Sequence, residues 1–179
     1  MKKVFTPSFI TITALIVVAA VARVFTPIPN FTPIAAIALF GAAYFSRKSV
    51  AFLLPLGILA VTNFLFLPIA DLLTMSAVFF SFILASVIGL WIGKKVSVSR
   101  VIVGALGSSV VFFIITNFAA WLWLGGVGFY PMTMEGLTMC YTMALPFFRN
   151  EVLGTLVYSG VLFGAYEFAK QRFPVLLVR

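Results

Sequence analysis

Charges are so scarce in this chain that they divide it into long uncharged apolar runs, and these runs restrict the folds open to it. Two of them, Ser49 to Ala70 and Leu72 to Gly93, contain 22 residues each. A helix needs about 20 apolar residues to cross the hydrocarbon core of a bilayer. Only 9% of the residues are charged, whereas a soluble domain carries about 25%. The sequence therefore predicts an all-α membrane protein surrounded by lipid.

Charges, prolines and glycines together predict a bundle of six transmembrane helices in a single membrane domain covering residues 1–179. The predicted spans are about 9–24, 32–46, 49–68, 73–93, 101–124 and 152–169. Residues 136–148 are too few to cross a bilayer and predict a short re-entrant or interfacial segment before the last helix. The N-terminal region resembles a secretory signal, but Arg23 directly after the candidate cleavage site favours an uncleaved first helix.

The basic residues predict the orientation of these spans. With the N-terminus inside, ten of the twelve basic residues fall on the cytoplasmic side, and only Arg23 and Arg149 fall outside. Three of the four acids, Asp71, Glu135 and Glu151, are then also outside. We expect a multi-pass protein of the bacterial inner membrane with both termini cytoplasmic. The net charge of +8 follows from this topology and requires no nucleic-acid partner.

Several classes of chemistry lack the residues they need. The chain has no histidine, four acids and one cysteine, Cys140, which excludes histidine-based triads, histidine-ligated zinc or haem, and disulfide frameworks. Four methionines near Cys140 suggest a soft-metal site, but a second thiolate is missing. No nucleophile has a base within reach, and no acid is predicted at the membrane midplane. We therefore expect no enzyme activity, no metal and no cofactor, and no ion-coupled transport by this chain alone.

The fourth predicted span carries small residues at every fourth position. Small residues with this spacing allow two helix backbones to approach closely in lipid. Such a stripe indicates either packing within the bundle or docking of another membrane subunit. The second reading supports an alternative function, that of a structural or assembly membrane protein which binds a partner through this stripe. Its members are Ala77, Ser81, Ala85, Gly89 and Gly93.

Polar side chains inside the hydrocarbon layer are costly and are candidates for function by default. Asn63 and Asn117 lie in a shared Thr-Asn-Phe tripeptide, and Asn30 precedes the second span. All three are predicted towards the outer ends of their helices. Their amides can orient a polar ligand or bond a neighbouring helix, and the sequence leaves both roles open.

The segment from Tyr130 to Glu151 adds further polar residues at the predicted outer face. Arg149 has two possible roles there, because it can bind an anionic ligand group or pair with Glu135 or Glu151. Aromatic rings in the same region can stack on a flat ligand. We predict a substrate site that has Asn30 and Asp71 at its rim and is lined by Asn63, Asn117, Trp121, Tyr130, Tyr141 and Arg149.

Several stretches resemble a known family. They are Pro29-Asn30-Phe31-Thr32-Pro33, residues 38–42, residues 116–121, and residues 136–148 from Gly-Leu to Pro-Phe-Phe. In these the chain resembles a family of small bacterial membrane proteins of unknown function that are described as transport proteins. More distantly, it looks like the S-components of energy-coupling-factor vitamin transporters.

The resemblance to S-components implies a function for the predicted outer pocket. It implies capture of a vitamin or similar small nutrient, which is released when an ATP-driven membrane module acts on the protein. S-components often carry two alanines four residues apart on the first helix, and the alanines here, at 14, 19, 20 and 22, include no such pair. The sequence therefore leaves open whether the protein uses an energising module or acts alone.

Overall fold

A computed structural model describes residues 6–66 and 71–177 of the chain, without the side chains of residues 62–66 and 177. The described residues are all-helical, which confirms the predicted fold class. They form six α-helices followed by one short 3-10 helix, η1. In chain order these are α1 Pro7–Val24, α2 Ile34–Tyr44, α3 Lys48–Phe66, α4 Leu72–Gly93, α5 Val98–Gly126, α6 Met134–Arg172 and η1 Pro174–Leu177.

Four of the helices, α1, α4, α5 and α6, are long and apolar enough to cross a membrane. The other two apolar stretches are shorter: α2 and the part of α3 that spans residues 48–61. The bounds of α1, α4 and α5 lie within three residues of the predicted spans. Helix α3 begins where predicted, whereas the predicted end of its span at residues 67–68 lies outside the described residues. These lengths and compositions are those of a membrane protein.

The prediction of a separate segment at 136–148 was wrong, because α6 is one continuous helix of 39 residues with Pro146 inside it. Thr133 caps its start by accepting a hydrogen bond from the Gly136 amide at 3.3 Å. The predicted boundary rests on the charged residues near position 150, which separate two apolar runs. Charges do not interrupt helical hydrogen bonding, however, and here Arg149 is exposed while Glu151 is buried. Both residues lie within one helix and do not end it.

Helix α2 has only 11 residues, and every one of them is buried. It begins after Pro33 and therefore covers less than the predicted span of 32–46. Prolines at positions 27, 29 and 33 disfavour helix in the residues before them. At 1.5 Å per residue α2 is about 16 Å long, roughly half the thickness of a hydrocarbon core. A helix that is apolar on all sides is a buried one, and α2 contacts all five other α-helices.

The small-residue stripe of α4 packs against α2. A Cβ atom added to Gly89 would lie 2.4 Å from the Leu39 carbonyl oxygen, and one added to Gly93 would lie 2.5 Å from that of Ala43. Ser81 and Ala85 of the stripe are also buried, whereas Ala77 is partly exposed. The stripe therefore provides the close backbone approach between α2 and α4.

The two ends of α2 differ in what surrounds them. At its C-terminal end lie the start of α1 and η1, because the Ser8 hydroxyl donates to the Leu176 carbonyl at 2.8 Å and the Phe9 and Phe45 rings are 5.5 Å apart. At its N-terminal end, the backbone of residues 31–32 packs on Gly154 of α6. Helix α6 begins 20 residues before Gly154. Helices α4, α5 and α6 thus continue beyond the start of α2, and we call this part the three-helix section (residues 72–82, 112–126 and 134–151).

The Gly89 contact makes a direct test of this packing. We expect Gly89→Ala to destabilise the protein by about 1–3 kcal/mol, because the added methyl group overpacks the α2–α4 contact. Gly107→Ala is the matched control, since a Cβ at this helical glycine meets nothing within 4 Å. Thermal unfolding in detergent, followed by circular dichroism, measures both variants. Equal melting temperatures for the two would contradict the described packing.

Candidate functional site

A cavity of ≈ 360 Å³ lies in the three-helix section, next to the connection that precedes α2. Its volume is at the lower end of the range for small-molecule sites, about 300–1,000 Å³. Polar groups from four different segments reach it, and phenylalanine rings form much of the remaining wall. The lining residues are Asn30, Thr74, Val78, Phe112, Phe113, Thr116, Asn117, Ala120, Ala144, Phe147, Phe148 and Glu151.

Asn117 is one of two predicted site residues that line this cavity. Its side-chain amide nitrogen donates to the Phe113 carbonyl one turn earlier, at 2.8 Å. This bond to its own helix fixes the orientation of the side chain. Among the described residues, no hydrogen bond reaches its side-chain oxygen, which remains an acceptor for a ligand.

Asn30 is the other predicted residue on the cavity, and it is held by its backbone. Its φ of 60° lies in the left-handed region, which asparagine tolerates better than most residues. The connection around it is fixed to α6, because the Asn150 side chain donates to the Pro29 carbonyl at 3.0 Å. Gly154 allows the close approach, since a Cβ there would lie 3.0 Å from the Thr32 nitrogen. Asn30 and Phe147 are exposed and mark where the cavity reaches the surface.

The three predicted aromatic residues lie outside the lining of the cavity, and two of them bond backbone carbonyls. Trp121 donates to the Pro131 carbonyl at 3.1 Å, and the Tyr141 hydroxyl donates to the Ile114 carbonyl at 2.6 Å. Tyr130 is 8% exposed, and burial raises the pKa of its phenol above the usual value. Trp121 and Tyr141 thus join the 127–133 connection and α6 to α5.

The remaining predicted site residues are dispersed. Asp71 caps α4 by accepting a hydrogen bond from the Thr74 amide at 2.7 Å. Arg149 is exposed and forms no ion pair with Glu135 or Glu151 within the described part of the chain. The side chain of Asn63 lies outside the described residues. Among the predicted residues whose side chains are described, the structure therefore brings Asn30 and Asn117 to the cavity, but not the others.

Glu151, Thr74 and Thr116 line the cavity without having been predicted. The sequence predicts Glu151 on the outer side of the membrane but does not predict its burial; it is only 3% exposed, and its Oε1 accepts a hydrogen bond from the Thr155 hydroxyl at 3.0 Å. Residues 144, 147, 148 and 151 all line the cavity, which is the spacing of one helix face. That spacing indicates Glu151 as a lining residue only when residues 134–172 are recognised as one helix.

Cys140 is buried on the side of α6 that faces α5. Its thiol lies 3.5 Å from the Asn117 carbonyl, and it is 4% exposed. Among the described residues, no group of three or more acidic, histidine or cysteine side chains is placed to hold a metal ion. The surroundings of Cys140 are those of a packed side chain.

Cys140 offers a natural probe of this packing. We expect the folded protein to react slowly with a maleimide reagent, because the thiol is covered, and to react fully when unfolded. Tyr130→Ala removes a neighbouring buried ring and should increase the labelling rate several-fold. Val127→Ala is the control, since Val127 belongs to the same connection, is 64% exposed and does not cover the thiol. Mass spectrometry of labelled protein gives the rates, and rapid labelling of the wild type would contradict this arrangement.

Comparison with known proteins shows that the chain matches one family, which has no assigned activity. No curated protein and no solved structure matches the chain. A family model described as "family of unknown function (DUF6580)" matches residues 3–176. This match includes all six helices. The chain therefore belongs to the family of unknown function DUF6580.

Proposed function

We propose that the protein is a membrane-embedded binding component for the transport of a small nutrient such as a vitamin. The observation that carries this proposal is the ≈ 360 Å³ cavity, which gathers carboxyl, amide and hydroxyl groups inside an apolar helical bundle. Polar groups within a membrane protein are costly, and they commonly mark a substrate pathway. The resemblance to transport proteins and to S-components points to the same function.

The charge distribution supports a cavity that faces outwards. The connections at 45–47 and 94–97 lie at the same end of the bundle, because Gly93 packs on Ala43. These connections and the adjoining helix ends carry Arg47, Lys48, Lys94 and Lys95. By the positive-inside rule this end is cytoplasmic. The three-helix section is at the opposite end, so we propose that its cavity opens to the outside in a bacterial inner membrane.

The alternative of an assembly protein finds less support. Its proposed docking surface, the stripe on α4, packs against α2 at Gly89 and Gly93, and Ser81 and Ala85 of the stripe are also buried. A partner at this surface would have to displace the central helix. The proposal that an ATP-driven membrane module supplies the energy depends only on the resemblance to S-components. The alternative is that this chain transports its ligand without such a module.

Ligand retention tests the proposed function. Native mass spectrometry of protein purified in mild detergent should show a bound small molecule. Asn117→Ala and Asn30→Gly should lower its occupancy, because each removes an amide from the cavity, and loss of one such contact weakens binding by roughly tenfold. Glycine at position 30 keeps the left-handed backbone, so that variant isolates the side chain.

Thr138→Ala is the control for these variants, since Thr138 is exposed on α6 and does not line the cavity. Its occupancy should equal that of the wild type. A wild-type spectrum without any small molecule, or equal occupancy in all variants, would contradict the proposal.

Single-cysteine labelling tests the orientation. In a Cys140→Ser background we expect Val127→Cys, in an exposed connection near the cavity end, to react with a membrane-impermeant maleimide on intact cells or spheroplasts. Ser99→Cys, exposed at the other end, should react only after permeabilisation. The reverse pattern would place the cavity on the cytoplasmic side.

A further inference from the structure

The charge of Glu151 is the feature of the cavity that most restricts its ligand. The residue lies near the middle of α6, 17 residues after the helix begins and 21 before it ends. Its side chain is 3% exposed and lines the cavity. A carboxylate removed from water is costly unless a cation or several hydrogen bonds compensate it.

The protein itself supplies little of that compensation. Among the described residues, the Thr155 hydroxyl is the one hydrogen-bond donor to Glu151. The ion pair that these residues form, Lys170 with Glu167, is about four turns further along α6. Arg149 is close in sequence but exposed and unpaired. The carboxylate therefore meets the cavity with one neutral donor and no cation.

Two polar neighbours in the cavity also present acceptors. The Thr116 hydroxyl donates its proton to the Phe112 carbonyl at 2.8 Å, and the Asn117 amide nitrogen donates to Phe113. The Thr116 hydroxyl proton and one of the two Asn117 amide protons are thus bonded to the backbone of α5, and the oxygen atoms of both side chains can accept hydrogen bonds from a ligand. Such a surface favours a molecule rich in N–H groups or one with a positive charge.

The aromatic wall favours the same kind of ligand. Phe112, Phe113, Phe147 and Phe148 all line the cavity, and the Phe113 and Phe148 rings are 4.5 Å apart. The faces of aromatic rings attract cations, most strongly where water is excluded. The rings also provide apolar area for the uncharged body of a small organic molecule.

We propose that the cavity binds an organic cation, a small molecule with an ammonium group on an apolar or flat body, and that Glu151 recognises its charge. This inference rests on the proposed function and adds the chemical class of the substrate. Glu151 acts as the counter-ion, Asn117 and Thr116 accept hydrogen bonds from the cationic end, and the phenylalanine rings contact the body.

A pair of probes of similar size tests the charge preference. We would titrate 2-phenylethylammonium and the neutral 2-phenylethanol into protein in nanodiscs by ligand-observed NMR, and subtract binding to empty nanodiscs. The wild type should bind the cation at least about tenfold more tightly than the alcohol. Glu151→Gln should weaken cation binding about 30-fold, because it removes one partner of a buried charge pair, and should leave alcohol binding nearly unchanged.

Glu135→Gln is the matched control. It removes the same charge from the same helix, but Glu135 is exposed and does not line the cavity, so the cation preference should persist. Glu151→Asp keeps the charge and should retain most of the preference, which separates the effect of charge from that of folding. The wild-type comparison requires no variant and remains decisive if Glu151→Gln does not fold.

Equal affinities of the two probes for the wild type, or an unchanged preference in a folded Glu151→Gln variant, would overturn the inference. Absence of binding by both probes would also overturn it. A neutral or anionic molecule retained in native mass spectra would overturn the charge assignment but support the proposed function. An organic cation retained there would support both.

Discussion

The short central helix α2 is the constraint on which the rest of this structure depends. Its 11 residues are buried on all sides, and each of the other five α-helices contacts it. Small residues of α4 allow that helix to approach the α2 backbone, while Pro33 stops α2 from extending further towards the opposite end. Because α4, α5 and α6 continue where α2 does not, a space remains between them. The cavity is thus a consequence of one helix that is too short to fill the bundle.

Polar groups in this protein serve two different purposes. Trp121, Tyr141 and Asn150 donate to backbone carbonyls at places where a connection or a neighbouring helix needs to be held. Such bonds satisfy carbonyls that lipid cannot satisfy. Asn117 and Thr116 instead bond their own helix and line the cavity. The first group holds neighbouring segments together, and the second group belongs to the proposed binding site.

Glu151 links the helical architecture to the proposed chemistry. The residue is buried because α6 continues through Pro146 as one helix, and it faces the cavity because it lies on the same helix face as Ala144 and Phe148. The Asn150–Pro29 hydrogen bond and the Gly154 contact then place Asn30 next to this part of α6. An acid, two amides and a group of phenylalanine rings are thereby collected from three segments, which are the connection before α2, α5 and α6.

The sequence by itself determined the fold class, the bounds of α1, α4 and α5, and the small-residue stripe, because hydrophobic runs and spacings along a single helix are local properties. It also indicated Asn30 and Asn117 as unusual polar residues. Only the tertiary structure decided that the stripe of α4 packs on α2, that residues 134–172 form one helix and that Glu151 is buried. The physical reason is that a charged residue in the sequence indicates that its burial would be costly, but does not indicate whether it is buried. Whether Glu151 is exposed in a connection or buried in a helix depends on which neighbours enclose it, and those neighbours lie far away in the sequence.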